Sequence, residues 1–282
     1  MPESAFTVPV AGVAMTAIGV AVIRARESER ADRLYLDPLA RHFADAARAG
    51  FEPERWTRLE ALAEQFQEGR SAGVRLLDDR VREAVDGGCR QVVLLGAGLD
   101  TRAFRMDLPA DLRLFEIDLP ELFAFKEAVL SRVNAIPTCA RRVLPADLRG
   151  DWPKALSDSG FSASEPTLWV DEGVLAYLTP PDHRRVVETL TQLSAPGSRF
   201  GSGRFALDAN AGPYPELRRM VSGDGDDAPA ASASAGFDTV EWLLAAQEWD
   251  TEFRTWDDQV APYGRNLANG DPRIGTFQAV RR

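Results

Sequence analysis

The sequence is short of lysine, cysteine, histidine and positive charge. Only Lys126 and Lys154 among its 33 basic residues are lysine, a skew that points to GC-rich coding and not to a mechanism. Two cysteines, Cys89 and Cys139, cannot build the disulfide scaffold of a small secreted domain. Nor can they form a zinc site with the two histidines, His42 and His183, which are too few and lack paired ligand spacing. Both cysteines are expected to be buried as small hydrophobes. The net charge of −10, from 43 acidic and 33 basic residues, repels a phosphate backbone. The arginines are interleaved with acids and gather into no basic stripe, so generic nucleic-acid binding is excluded. Long apolar runs are scarce too. Residues 4–23 (SAFTVPVAGVAMTAIGVAVI) are uncharged and long enough to span a bilayer. They contain no leucine, and only Glu3 stands upstream, where a secretory signal carries basic residues. The stretch reads as a small-residue helix over residues 12–27, buried against its own domain, and a cytoplasmic protein with no membrane partner is expected.

What the chain does have is ordinary globular material: 282 residues, 45% hydrophobic and 27% charged. Residues 1–88 read as a mostly helical cap. One helical segment follows Asp37-Pro38, a second covers residues 54–66, and a third covers 71–85, with Val74, Leu77, Val81 and Val85 on one face. Gly87-Gly88 stops it. The texture then changes. Val92, Val93, Leu94 and Leu95 form a short apolar run that suits a strand buried on both faces. Further strands are predicted at residues 112–117, 142–145, 167–170, 198–202, 251–255 and 277–280. Helices are predicted at 121–133, near Trp152, from the Thr179 cap and Pro180 to 193, and at 239–247. Strands alternating with helices imply a doubly wound α/β sheet over residues 89–282. An insertion is expected near 205–236, of which residues 222–236 (SGDGDDAPAASASAG) read as a mobile loop.

The motif that carries chemistry follows the first strand: Gly96-Ala97-Gly98-Leu99-Asp100-Thr101. A strand running into Gly-x-Gly lets the backbone turn tightly and lets a ligand approach it. The bland alternative is a tight βα turn with no ligand. The next strand ends in Glu116 and Asp118, and an acid there commonly accepts from a ribose diol. Because Leu119-Pro120 follows, Asp118 also reads as a helix cap. A dinucleotide fingerprint wants a third glycine where Thr101 stands, and Asp100 would oppose a pyrophosphate. S-adenosylmethionine carries no phosphate, and its ammonium and sulfonium suit an acid near the turn, which tips the reading from NAD to S-adenosylmethionine.

GAGLDTRAFRM, FEIDLPELFAFK, ADLRGDW and DEGVLAYL, in that order, resemble the leucine carboxyl methyltransferase family. The likeness is closest to its bacterial branch of S-adenosylmethionine-dependent O-methyltransferases associated with polyketide biosynthesis. It extends to TAIGVAVIRARE…DPLA near the N-terminus and to YGRNLA near the C-terminus. The resemblance implies a seven-stranded, mostly parallel class I methyltransferase sheet with an N-terminal helical cap. It also implies site roles. Gly96, with Ala97 and Gly98, touches the cofactor. Asp118, with Leu119, binds the ribose, Asp147 and Leu148 bracket the adenine, and Glu172 lies near the amino-acid end. Arg24 and a second arginine hold the cofactor carboxylate; Arg70 fits that second place best, with Arg75 close by. Independently, Asp147 follows an apolar strand and could accept from an adenine amino group or cap the helix near Trp152. Asp171-Glu172 ends the fourth strand, where α/β sheets bind ligands. Glu172 and Tyr177 are the catalytic candidates.

Neither His42 nor His183 shows a positioned acid partner in sequence, and His183 reads as a surface residue in the first turn of its helix. A carboxylate acceptor needs no general base, whereas a phenol or alcohol does. The leading expectation is therefore O-methylation of a carboxylate or hydroxyl on a small, polyketide-like acceptor. The alternatives are a non-methylating or scaffold role for the bound cofactor, protein carboxyl methylation, and a nicotinamide-dependent oxidoreductase, which Asp100 and Thr101 disfavour.

Overall fold

Three helices lead the chain: α1 (Ala14–Glu29), α2 (Ala40–Arg48) and α3 (Pro53–Asp86). The computed structural model describes residues 7–204, 212–222, 244–246 and 248–282. The small-residue segment near the N-terminus is α1, buried through Met15, Ile18, Ala21, Val22 and Ile23. Among the described residues, no helix is long and apolar enough to cross a membrane. The two helices predicted at 54–66 and 71–85 are one continuous helix, α3, of 34 residues. Gly69 and Gly73 do not break it, because a glycine in a helix interior costs only about 1 kcal/mol and both ends of α3 are anchored. Trp56, Leu59, Leu62 and Ala63 pack with α1 and α2, while Leu77, Val81, Ala84 and Val85 pack on the sheet.

The sheet follows. Its strands are β1 (Gln91–Leu95), β2 (Arg113–Asp118), β3 (Ala140–Pro145), β4 (Thr167–Asp171), β5 (Arg199–Arg204), β6 (Trp249–Thr255) and β7 (Gly275–Arg281). All seven overlap the predicted strands, no bound shifting by more than two residues. Their order is β3-β2-β1-β4-β5-β7-β6. The first five are parallel, and β7 lies antiparallel between β5 and β6. The intervening helices are α4 (Arg102–Arg105), α5 (Pro120–Arg132), α6 (Trp152–Asp158) and α7 (Pro180–Gln192). Helix α7 starts as read: the Thr179 hydroxyl accepts from the Asp182 N–H. Within the predicted insertion, α8 (Tyr214–Ser222) is helical. The rest of the loop at 222–236, and the start of the helix predicted at 239–247, lie outside the described residues.

Period-two alternation explains why β1 is apolar throughout. Val93 and Leu95 join Phe115, Ile117 and Trp169 in a core under α6 and α7. Val92 and Leu94 join Leu114, Leu168 and Val170 in a second core under α3, α4 and α5. Cys139 is buried as expected, but Cys89 is only half-buried, because it sits just before β1 and turns its Sγ to the Gln91 carbonyl. The connections diverge between β1 and β4, so the crevice at the carboxyl ends of those strands is the ligand position of this topology.

Candidate cofactor and active site

At that crevice the chain leaves β1 through Gly96 (φ +62°) and Gly98 (φ +52°), both left-handed. The Ala97 N–H donates to the Ile117 carbonyl at 2.9 Å, and the Gly98 N–H donates to Asp118 Oδ2 at 2.6 Å. Asp118 Oδ1 accepts from the Leu119 N–H at 2.7 Å. Asp118 therefore latches the end of β2 to the glycine turn. It is not the cap of α5, whose N-cap is Leu119 with no side-chain bond. Burial raises the Asp118 pKa, against the two backbone N–H groups that lower it. Neighbours close over the turn: a Cβ on Gly96 would lie 2.5 Å from Val174, and one on Gly98 would lie 3.3 Å from the Ala17 methyl of α1.

Beyond the glycines, a buried ion network ties the leading helices to the turn. Arg24 donates to Asp37 Oδ2 at 3.0 Å, Thr101 Oγ1 at 3.2 Å and the Leu99 carbonyl at 2.6 Å. Its Nε is buried and has no partner among the described residues. The Thr101 hydroxyl donates to Asp37 at 2.7 Å and accepts from Arg105. Arg105 and Arg102 both bind Asp78 of α3, at 2.6 to 2.8 Å. Arg102 also bonds Asp100 and reaches Glu172 Oε2 at 2.9 Å. Although burial opposes charge on each, the arginines hold the Asp78 and Asp100 pKa values below the ordinary carboxylate range. Asp37, Asp78 and Arg105 escape a reading of the sequence, because their ion-pair partners are 13 or more residues away. The one available signal is an acid, Asp78, beside Leu77 on an otherwise apolar helix face.

The other predicted residues sort by position. Arg70 donates to the Glu172 carbonyl at 3.2 Å and stands near Tyr177 and Tyr214. Arg75 instead pairs with Asp79, bonds the Leu34 carbonyl and stacks on Tyr263, facing the C-terminal region. Glu172 and Tyr177 thus lie together with Arg70, and burial raises the Tyr177 pKa. Asp147 accepts from the backbone and guanidinium of Arg149. It does not cap α6, whose N-cap is Asp151. Leu148 is buried among Phe115, Leu144 and Trp152. Asp171 is buried and accepts from the Gly173 and Leu175 N–H groups and the Ser202 hydroxyl.

His183 is buried, not on the surface. It shares the inward stripe of α7 with Val186, Val187 and Leu190, and that period outweighs the charged neighbours Arg184 and Arg185. Burial lowers its pKa, partly offset by the Asp171 carboxylate, and its Nε2 has no partner among the described residues. His42 is exposed.

Comparison with known proteins bears on the family and the fold. A family model described as leucine carboxyl methyltransferase matches residues 17–191. A protein of Parafrankia sp. bearing the name "Putative S-adenosyl-L-methionine-dependent methyltransferase" is 47% identical over 193 residues, which are 67% of this chain and 62% of that protein. A protein of Frankia alni with the same descriptive name is 40% identical over 279 residues, 95% of this chain and 93% of its own. Among solved structures, a "putative methyltransferase" from Thermobifida fusca superposes with a TM-score of 0.60. It is 18% identical and covers 96% of this chain and 95% of its own, a likeness of fold.

Proposed function

The chain belongs to the leucine carboxyl methyltransferase family and is an S-adenosylmethionine-dependent methyltransferase, and from that premise we propose that it methylates the carboxylate of a small, polyketide-like acid in the cytoplasm. The residues at the strand ends fit the cofactor. Gly96 and Gly98 leave the turn without side chains. Each Asp118 oxygen accepts one N–H, and a carboxylate oxygen has capacity for a second donor, such as a ribose hydroxyl. Glu172 and Asp100 provide the negative edge that an ammonium needs. Among the described residues Arg70 has a single hydrogen bond, to a neutral carbonyl, and it is the cation for the cofactor carboxylate. Arg24 is committed to Asp37, Thr101 and Leu99. Its first task is to hold the turn beside which the cofactor carboxylate is assigned. Asp147 and Leu148 are assigned to the adenine and Leu119 to the ribose side.

When bound, the cofactor supplies a methyl group already activated by a sulfonium, so the protein's work is orientation and exclusion of water. The observation that carries the carboxylate reading is the state of the acids and the histidine at the strand ends. Asp171 is buried and already accepts from three donors, Asp118 is tied to the turn, Glu172 is tied to Arg102, and the His183 ring is buried on α7. None is poised to take a proton from a phenol, and an ionised carboxylate asks for no such group. Tyr177, beside Arg70, lines the acceptor side. The test is a reaction with methyl-labelled cofactor and a panel of carboxylic and phenolic acids. Mild alkali should release the label as methanol, as an ester requires. Label that survives alkali on every accepted substrate refutes the proposal.

A further inference from the structure

The ion network around the glycine turn holds three arginines, Arg24, Arg102 and Arg105, against four carboxylates, Asp37, Asp78, Asp100 and Glu172. One negative charge is left over. Burial decides where it emerges. Arg102 is 2% exposed and Asp78 fully buried, whereas the Glu172 side chain is 26% exposed. Glu172 is therefore the open end of the network, and the rest is its foundation. Arg102 is the junction. Its Nε binds Asp78 Oδ1 at 2.8 Å and one terminal nitrogen is shared by Asp100 and Glu172 Oε2. Its other terminal nitrogen donates to the Val74 carbonyl. Arg105 brackets the same Asp78 with both terminal nitrogens, at 2.6 and 2.7 Å. The Arg102 guanidinium is thus aimed by a carboxylate on α3, and it in turn aims two acids at the turn.

We propose that Asp78 and Arg102 are positioning residues that set recognition of the cofactor's amino-acid end, by holding the Glu172 and Asp100 carboxylates where its ammonium completes the charge of the network. This rests on the reading of the strand ends as a cofactor site. Asp78 touches no part of that site, so its effect passes through Arg102. A planar guanidinium binds two or three acids at fixed angles, and an ammonium cannot. Arg102→Lys should therefore keep the charge and lose the aim.

The test compares two ligands that share the nucleoside and differ in the amino-acid moiety: S-adenosylhomocysteine, which has it, and 5′-methylthioadenosine, which lacks it. Calorimetric titration of the full chain should show Arg102→Lys and Asp78→Asn losing about tenfold or more in affinity for S-adenosylhomocysteine. Affinity for 5′-methylthioadenosine should stay within about twofold of wild type. Adding Arg102→Lys to Glu172→Gln should cost little beyond Glu172→Gln alone, since both remove one interaction. Equal losses for the two ligands would mean that the residues support the fold only and would overturn the proposal, as would no loss for either. If Asp78→Asn does not fold, Arg102→Lys and its combination with Glu172→Gln decide the matter. A wild-type chain that binds neither ligand refutes the cofactor reading itself, an outcome distinct from failure of the positioning proposal.

Discussion

Asp118→Ala separates a ligand contact from a structural latch. The structure assigns the carboxylate two internal bonds, at 2.6 Å from Gly98 and 2.7 Å from Leu119. Hydrogen bonds to a charged group contribute roughly 1.5–3 kcal/mol each. Burial works against them, since it raises the Asp118 pKa. The cost to the fold should therefore lie near the bottom of the summed range, at about 3 kcal/mol for the pair. The ribose contact adds a separate loss of about 1.5–3 kcal/mol, which is roughly a 10- to 150-fold fall in cofactor affinity. The assay is titration with S-adenosylhomocysteine and with its 2′-deoxyribose analogue. Wild type should favour the ribose form clearly, and Asp118→Ala should bind the two almost equally. The raised pKa adds a second signature. As pH falls, the carboxylate takes its proton above the ordinary aspartate range, and the preference for ribose should fade there. If Asp118→Ala weakens both ligands by the same factor, the residue is only a latch between β2 and the turn and the ribose assignment is wrong.

Three other perturbations probe the frame. His183 is held neutral by burial, with a pKa below its ordinary 6.5. The unfolded chain therefore binds the extra proton first, and stability present above about pH 6.5 is lost as pH falls toward the folded value, by up to about 1.4 kcal/mol per pH unit. Denaturant unfolding between pH 5 and 7 should show a flatter slope for His183→Gln, and parallel slopes would contradict the assignment. Gly96→Ala should cost at least the roughly 1–2 kcal/mol of a left-handed non-glycine residue, plus a clash 2.5 Å from Val174 Cβ. Adding Val174→Ala keeps that Cβ and should not rescue it, whereas Val174→Gly should do so in part. Lys126→Met strips one partner from the buried Glu116, which Arg141 still holds at 2.7 and 2.9 Å. Its cost should fall at or below the low end of the roughly 3–5 kcal/mol for breaking a buried pair, and Glu116→Gln added to it should lower a thermal melt further, since it strips Arg141 of its buried partner.

What was legible in the sequence was local. The strands show as short apolar runs because both faces of the sheet are covered, and the Thr179-Pro180 start shows because a cap is a contact between near neighbours. The glycine turn and Asp118 could be paired because the order of α/β elements puts the ends of the first two strands side by side. His183 was misread because two flanking arginines suggested solvent, while the inward period of α7 was the stronger evidence. The network of Arg24, Asp37, Asp78, Arg102 and Arg105 was hidden for a different reason. Its members are drawn from four separate segments, and ion pairs carry no periodicity. Arg24 illustrates the difference: the family resemblance marks it as a cofactor ligand, yet most of its donors serve Asp37, Thr101 and Leu99.

The unbroken α3 explains how the network can act at a site formed by loops. The apolar pattern changes near Gly69 because the helix changes partner there, from α1 and α2 to the sheet, and not because it ends. A break would let the two halves move independently. With one rod, about 50 Å long, Arg70 and Asp78 are fixed relative to each other. Arg70 holds the backbone of Glu172, while Asp78, through Arg102, holds its carboxylate. Both restraints on this half-exposed acid are thus referred to one element, whose first half also packs on α1, the helix that brings Ala17 to the glycine turn. The leading helices therefore do more than cover the sheet: they set the orientation of the charged edge at the ends of β1 and β4.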